Sequence, residues 1–267
     1  MLKQRVLTAI VIATLLLVVL FVLPQQTATI LITAVVLLGA WEWSSLLPPG
    51  SSLLRWLLPT ALLLLLAAWY WLPHDAALTR WLLGIATVWW FLALLWIVLA
   101  PLRGHVVLTV LACWLSLAPL WVAVLELRGT DRRGSWVLLF ALAVIVAADT
   151  GAYFAGRAFG RIKLAPSVSP GKTWEGVFGG LLAAGLLSIV GAYGMGWPPL
   201  LLLPLALAVA SMSVIGDLLE SKMKRQAGVK DSGRLFPGHG GILDRIDSLS
   251  AGLPLMALGL STLGLLP

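Results

Sequence analysis

An all-α, polytopic integral membrane protein is what the sequence predicts, and three observations predict it. Of 267 residues, 60% are hydrophobic and 11% are charged, with a mean hydropathy of +1.01. A soluble domain carries about 25% charged residues and about half apolar ones. The apolar excess runs along the whole chain, so no single anchor accounts for it. It recurs in blocks of twenty or so residues, each able to cross roughly 30 Å of hydrocarbon as a helix. A soluble globular enzyme, a disordered tail and a secreted disulfide scaffold are excluded. Cys113 is the only cysteine, which also excludes a cysteine metal cage.

Taken in order, the first block follows Lys3 and Arg5 and covers 6–23. It is longer than a signal-peptide core of about 7–15 residues and lacks a small-residue cleavage site, so it reads as a retained helix. Further spans are expected at 27–47, 53–72, 81–100, 105–125, 136–156, 173–194, 198–220 and 249–266, nine in all. Pro24, Pro48-Pro49-Gly50, Pro73, Pro101 and the stretch from Gly196 to Pro199 punctuate the short connections. Two connections are long and rich in Gly, Lys, Arg and Ser, 157–172 and 221–248. The chain therefore divides into N-terminal membrane helices over 1–135, about five spans, and a C-terminal region over 136–267 that holds both polar loops and the expected chemistry.

With the N-terminus placed in the cytoplasm, alternation puts all but Arg80, Arg128, Arg132 and Arg133 of the 18 Lys and Arg residues on the cytoplasmic side. That satisfies the positive-inside rule and brings both polar loops to one face. The net charge of +7 then reflects topology and anionic head groups, and no nucleic-acid partner is expected. Many of the 14 Trp residues lie near span ends, among them Trp41, Trp43, Trp56, Trp71, Trp81, Trp136, Trp174 and Trp197, as interfacial anchors do. Trp89-Trp90 reads as packing. No internal repeat supports an inverted-repeat transporter.

Acidic residues carry the functional signal, because an ionisable group at membrane depth is costly. Of the 11, Asp75, Glu126 and Asp131 fall in outer loops and read as solvated surface. Glu42, inside the second span between two tryptophans, either pairs with a distant base or lies near the interface. The other seven, Asp149, Glu175, Asp217, Glu220, Asp231, Asp244 and Asp247, gather around the two polar loops.

From Gly216 to Gly252 the chain reads GDLLESKMKRQAGVKDSGRLFPGHGGILDRIDSLSAG. Asp217, Glu220, Ser221 and Lys224 share one helix face at i, i+3, i+4 and i+7. Gly228, Gly233, Gly238, Gly240 and Gly241 suit close backbone approach to a ligand. A new helix is expected near Gly241 or Ile242, with Asp244, Asp247 and Ser248 on one face of its first turns. Its free N–H groups could receive a phosphate oxygen. Carboxylates from two helix ends suit a hard divalent cation such as Mg²⁺. Lys222, Lys224, Arg225, Lys230, Arg234 and Arg245 supply charge for a polyphosphate. His239 suits a phosphate or metal-water contact, and with no second histidine at metal spacing a zinc site is not expected.

From Ala148 to Gly176 the sequence is ADTGAYFAGRAFGRIKLAPSVSPGKTWEG. Asp149 sits near the cytoplasmic end of span six. Ser169 and Pro170 read as the N-cap and first residue of span seven, with Lys172 and Glu175 in its first turns. Gly171-Lys172-Thr173 fails as a P-loop, because Pro166 stands where the motif needs glycine. Gly176, Gly180 and Ala184, four apart, point to close helix packing.

The run from Ser221 to Asp247, read S-x-x-K-R-x4-K-D-x-G-x2-F-P-x-H-G-G-I-x-D-R-I-D, resembles the signature of the phosphatidate cytidylyltransferases, or CDP-diacylglycerol synthases. Asp149-Thr-Gly-Ala-Tyr and Ser169-Pro-Gly-Lys-Thr-Trp-Glu175-Gly resemble other blocks of that family. The likeness covers 148–252, and the first five spans match only in apolar character. It implies transfer of CMP from CTP to phosphatidate with release of pyrophosphate, dependent on one or two Mg²⁺ ions with or without a monovalent cation. It also implies a homodimer in the cytoplasmic (inner) membrane, working at the cytoplasmic face. By the resemblance Asp217 and Asp244 are the principal metal ligands, supported by Asp247 and Asp231. Asp217, Asp244, Lys224, Arg225, Lys230, His239 and Arg245 are the expected catalytic group. Ser221, Lys172, Glu175, Asp149, Arg234, Gly240 and Gly241 are expected to bind substrate.

Overall fold

The computed structural model describes residues 2–48, 50–100, 102, 105–233, 235 and 240–266, with backbone alone for 2–7. Among these, nine helices stand where the sequence places nine spans: α1 (Leu2–Phe21), α2 (Gln25–Ser44), α3 (Ser52–Trp71), α4 (Ala76–Leu99), α5 (Val106–Arg128), α6 (Arg132–Phe159), α7 (Trp174–Met195), α8 (Pro199–Gln226) and α9 (Leu243–Thr262). Seven of them, α2 to α8, are long and apolar enough to cross a membrane. The protein is a multi-pass, all-α membrane protein. Asp75 and Asp131, expected as plain surface, are exposed but also cap α4 and α6 by accepting from Leu78 N and Gly134 N at 2.8 Å.

Both polar loops are shorter than expected. Helix α6 runs on to Phe159 and α8 to Gln226, and α9 begins at Leu243. Between α6 and α7 lies an antiparallel hairpin, β1 (Lys163–Ala165) with β2 (Ser169–Thr173), in register Lys163↔Thr173 and Ala165↔Ser169. The expected cap at Ser169 is therefore wrong. Ser169 and Pro170 belong to β2, where a two-stranded edge tolerates proline. Thr173 is the N-cap of α7, its Oγ1 accepting from Gly176 N at 3.2 Å. Trp174 N continues the ladder to Ile162 O at 3.0 Å, so the hairpin passes directly into the helix.

Helices α6 and α7 pack most closely of all. The expected small-residue seam is there: a Cβ on Gly180 would lie 2.6 Å from Ala148 O, and one on Gly179 would collide with Ala155. Helix α9 lies against α8, α5, α4 and α2, so the helices of 1–135 form part of the site's wall. Of the tryptophans expected at interfaces, Trp41, Trp56, Trp71, Trp81, Trp136 and Trp174 are exposed, whereas Trp43 and Trp197 are buried core. Trp43 is held there by its indole N–H on Thr109 O at 3.1 Å.

Contacts between distant residues test the alternation of spans. Glu42 with Ile242, Lys222 with Ala100, Lys172 with Asp217 and Asp149 with Ser248 all meet at one end of the bundle. Ser135 with Leu20, Arg128 with Leu23 and Phe140 with Trp197 meet at the other. Ends assigned to one side by counting spans touch one another.

Candidate active site

The polar end of α8 carries the expected stripe. Lys224 Nζ lies 2.8 Å from Glu220 Oε1, one turn back, and 2.6 Å from Asp244 Oδ1 on α9. The side chains of Glu220 and Asp244 are only 2% and 8% exposed, so the ammonium joins two buried carboxylates and pins α8 to α9. The second oxygen of Glu220 is buried with no hydrogen-bond partner among the described residues. Asp244 Oδ2 accepts from Ser232 N (3.1 Å), Ser232 Oγ (3.0 Å) and Gly241 N (2.8 Å). Burial pushes the Asp244 carboxyl up, but the Lys224 ammonium and the Gly241 amide hold it down to about 2.

A second cluster lies beside the first. Lys172, on β2, reaches Asp217 Oδ2 at 2.6 Å, and Ser221 donates to Asp217 Oδ1 at 3.2 Å. Asp247 accepts from Ser248 N at 2.7 Å, and Ser248 Oγ approaches Asp149 Oδ1 at 3.4 Å. Asp149, Asp217 and Asp247 thus come from α6, α8 and α9 and act electrostatically on one another. Lys172 and Arg245 are the cations that bear on Asp149.

The fold therefore assembles Asp149, Lys172, Asp217, Ser221, Lys224, Gly241, Asp244 and Asp247. Other expected residues make no hydrogen bond or ion pair with this cluster among the described residues, although the charge of Arg245 bears on Asp149. Arg225 is exposed and reaches Val168 O and Val229 O, both at 3.4 Å. Lys230, Asp231 and Arg245 are exposed. Glu175 faces the hairpin and accepts from Ile162 N at 3.2 and 3.3 Å. Arg234 and His239 lie outside the described residues.

The start of α9 differs from expectation. Three of the N–H groups there are not open to a phosphate: Gly241 N is taken by Asp244 at 2.8 Å, Ile242 N by Glu42 Oε1 at 3.1 Å and Leu243 N by Glu42 Oε2 at 2.9 Å. Ser232 Oγ also donates to Glu42 Oε2, at 2.9 Å. Of the glycines expected to give room for a ligand's approach, Gly233, Gly240 and Gly241 are room for these carboxylates. A Cβ on Gly233 or Gly241 would strike Glu42, and one on Gly240, at φ +79°, would strike Asp244. Glu42 and Ser232 were missed as site residues. The signal for Glu42 was its charge inside an apolar block; Ser232 gave none. Among the described residues, no group of three or more His, Cys, Asp or Glu stands ready to hold a metal ion.

Residues 3–263 match the model of the cytidylyltransferase family, nearly the whole chain. The chain belongs to that family. A phosphatidate cytidylyltransferase of Pseudomonas aeruginosa is 40% identical over 260 residues, 96% of either chain. One of Haemophilus influenzae is 50% identical over 131 residues, 45% of this chain and 44% of its own length. Phosphatidate cytidylyltransferase 5, chloroplastic, of Arabidopsis thaliana is 50% identical over 117 residues, 43% of this chain and 29% of its own. The match of this cytidylyltransferase to the family model and to the Pseudomonas enzyme thus reaches well beyond 148–252, into the first five helices, where Glu42 resides.

Proposed function

We propose that this cytidylyltransferase transfers CMP from CTP to phosphatidate, giving CDP-diacylglycerol and pyrophosphate, at the cytoplasmic face of the inner membrane and as a homodimer. The observation that carries the reading is the pairing of full-length similarity to the Pseudomonas enzyme with a carboxylate–lysine site at one end of membrane helices. A lipid substrate keeps its acyl chains in the bilayer while its head group meets that end.

The phosphatidate phosphomonoester is anionic near neutral pH and needs no strong base. Its oxygen attacks the α-phosphorus of CTP; the bond from that phosphorus to the bridging oxygen breaks, and pyrophosphate leaves with the electron pair. Lys172 and Lys224, with Arg225 at the end of α8, Arg245 at the start of α9, and Lys230 and Arg234 from the sequence between them, are the cations proposed to hold the phosphates and offset their charge. His239 is proposed to contact a phosphate or a metal-bound water, and Gly240 and Gly241 give room to the Asp244 and Glu42 carboxylates.

The donor set suits Mg²⁺. It consists of carboxylate oxygens alone, and Mg²⁺ is commonly held by one or two carboxylates plus substrate phosphates, so the lack of a three-residue cage among described residues is no misfit. Asp217, Asp244 and Asp247 are proposed to hold it, with Asp231 in support and Asp149 adjacent. When bound, the ion supplies charge neutralisation to the triphosphate and the departing pyrophosphate.

Purified protein in detergent, given CTP, phosphatidate and Mg²⁺, tests the reading. CDP-diacylglycerol and pyrophosphate in equal amounts, lost on chelation and in Asp244→Asn, are expected. Release of CDP instead would mark a CTP-dependent lipid kinase. A folded wild type that makes no lipid product overturns the reading.

A further inference from the structure

The N-terminus of α9 has no cap of its own. Its cap position is Ile242, at φ −65° and ψ −42°, whose side chain offers no acceptor. The acceptors come from Glu42, 200 residues earlier in sequence on α2. One carboxylate oxygen takes Ile242 N–H and the other takes Leu243 N–H, a bidentate cap that also places negative charge at the positive end of the helix dipole.

The same carboxylate reaches across the loop. Ser232 Oγ lies 2.9 Å from Glu42 Oε2 and 3.0 Å from Asp244 Oδ2, so one hydroxyl proton is shared between two carboxylates. Ser232 N binds Asp244 as well, at 3.1 Å. Gly233 and Gly241 leave no room for a side chain between the loop and Glu42. Ser232 on one side, and Ile242 and Leu243 on the other, are therefore fastened to Glu42, and Asp244 is fastened to Ser232 and Gly241. Lys224 takes its position from Asp244 in turn.

We propose that Glu42 is a positioning residue of the active site: it occupies the Ile242 and Leu243 amides at the α9 N-terminus, holds Ser232, and thereby fixes the Asp244 carboxylate and its Lys224 partner. It touches no substrate. Because it takes the Ile242 and Leu243 amides, these two donors are closed to substrate phosphates, whose binding falls mainly to side chains. The kinetic part of this assignment rests on the reaction proposed above.

Full-length wild type, Glu42→Gln, Glu42→Asp, Ser232→Ala and the Glu42→Gln/Ser232→Ala double variant are compared in detergent, per mole of folded protein. Glutamine turns an NH₂ toward amide or hydroxyl donors and breaks the bidentate cap. In Glu42→Gln, kcat falls roughly 10- to 100-fold, as for a displaced catalytic group, while the KM for phosphatidate stays within about twofold, since no lipid contact is lost. Glu42→Asp recovers part of kcat. Ser232→Ala lowers kcat less, and the double variant falls no further than Glu42→Gln, because the hydroxyl acts through the same clamp. A folded Glu42→Gln with wild-type kcat and only a lower melting temperature overturns the proposal. If Glu42→Gln does not fold, Ser232→Ala, which keeps the cap, decides: wild-type kcat there overturns it. An inactive wild type indicts the proposed reaction and not the clamp. Hydrogen exchange then judges the clamp alone: amides of Ile242 and Leu243 are expected to exchange at least about tenfold faster in Glu42→Gln, and unchanged exchange refutes it.

Discussion

Two helix pairs in this molecule are joined by opposite means. At the α6–α7 seam the chain removes side chains: Gly151, Gly176, Gly179 and Gly180 let one backbone touch the other, and no ion pair crosses among the described residues. At the polar end of α8 and α9 the chain adds charge, and Lys224 sits between Glu220 and Asp244. The seam is sensitive to volume and indifferent to electrostatics. The polar end is the reverse. A membrane enzyme needs both, since lipid gives helices no hydrophobic reason to associate, and reactive charges have to be held without collapsing onto each other.

The contrast breaks hardest at Lys224. Lys224→Met leaves two buried carboxylates uncompensated, which costs about 3–5 kcal/mol, and abolishes turnover; thermal unfolding in detergent and product formation measure both. At the seam, Gly180→Val forces a side chain into Ala148 O. Overpacking of this kind costs about 1–3 kcal/mol, and the surviving folded protein keeps its KM for CTP. Thr173→Val removes the α7 cap and costs about 0.5–2 kcal/mol, read as a small drop in melting temperature. The change with the smallest expected effect on turnover is Lys222→Met. Lys222 is fully buried at the same end of α8 but faces α4, with Nζ on Ala100 O at 3.0 Å and over the Trp96 ring at 5.6 Å. Losing a carbonyl contact to a charged donor costs about 1.5–3 kcal/mol, and turnover remains. If Lys222→Met proves as inactive as Lys224→Met, the polar end acts as one charge field and the comparison fails.

The nine helices were legible because each is an apolar block cut by Pro or Gly, a signal that needs no partner to be read. The stripe Asp217, Glu220, Ser221 and Lys224 was legible for the same reason, since helical spacing alone puts it on one face. The α7 cap was misread because Ser169-Pro170 is a good local start, and only the pairing of 163–165 with 169–173 overrides it. Glu42 was conspicuous, yet its role was not readable. Its partners are the backbone amides of Ile242 and Leu243, and an amide carries no sequence signature. The glycines had the same ambiguity: a gap for a ligand and a gap for a carboxylate look alike until the carboxylate is located.

The clamp between Glu42 and α9 also sets an order of events at synthesis. Chains emerge at about 5–20 residues per second, so the 200 residues that separate Glu42 from Ile242 correspond to a delay of roughly 10–40 s. Through that interval the second helix is already committed to the bilayer with a carboxylate that has not met its amides. The site cannot close until α9 arrives, so assembly of the reactive end reports that α9 has joined the bundle: a chain translated only as far as α8 occupies the membrane without acquiring the means to act on it.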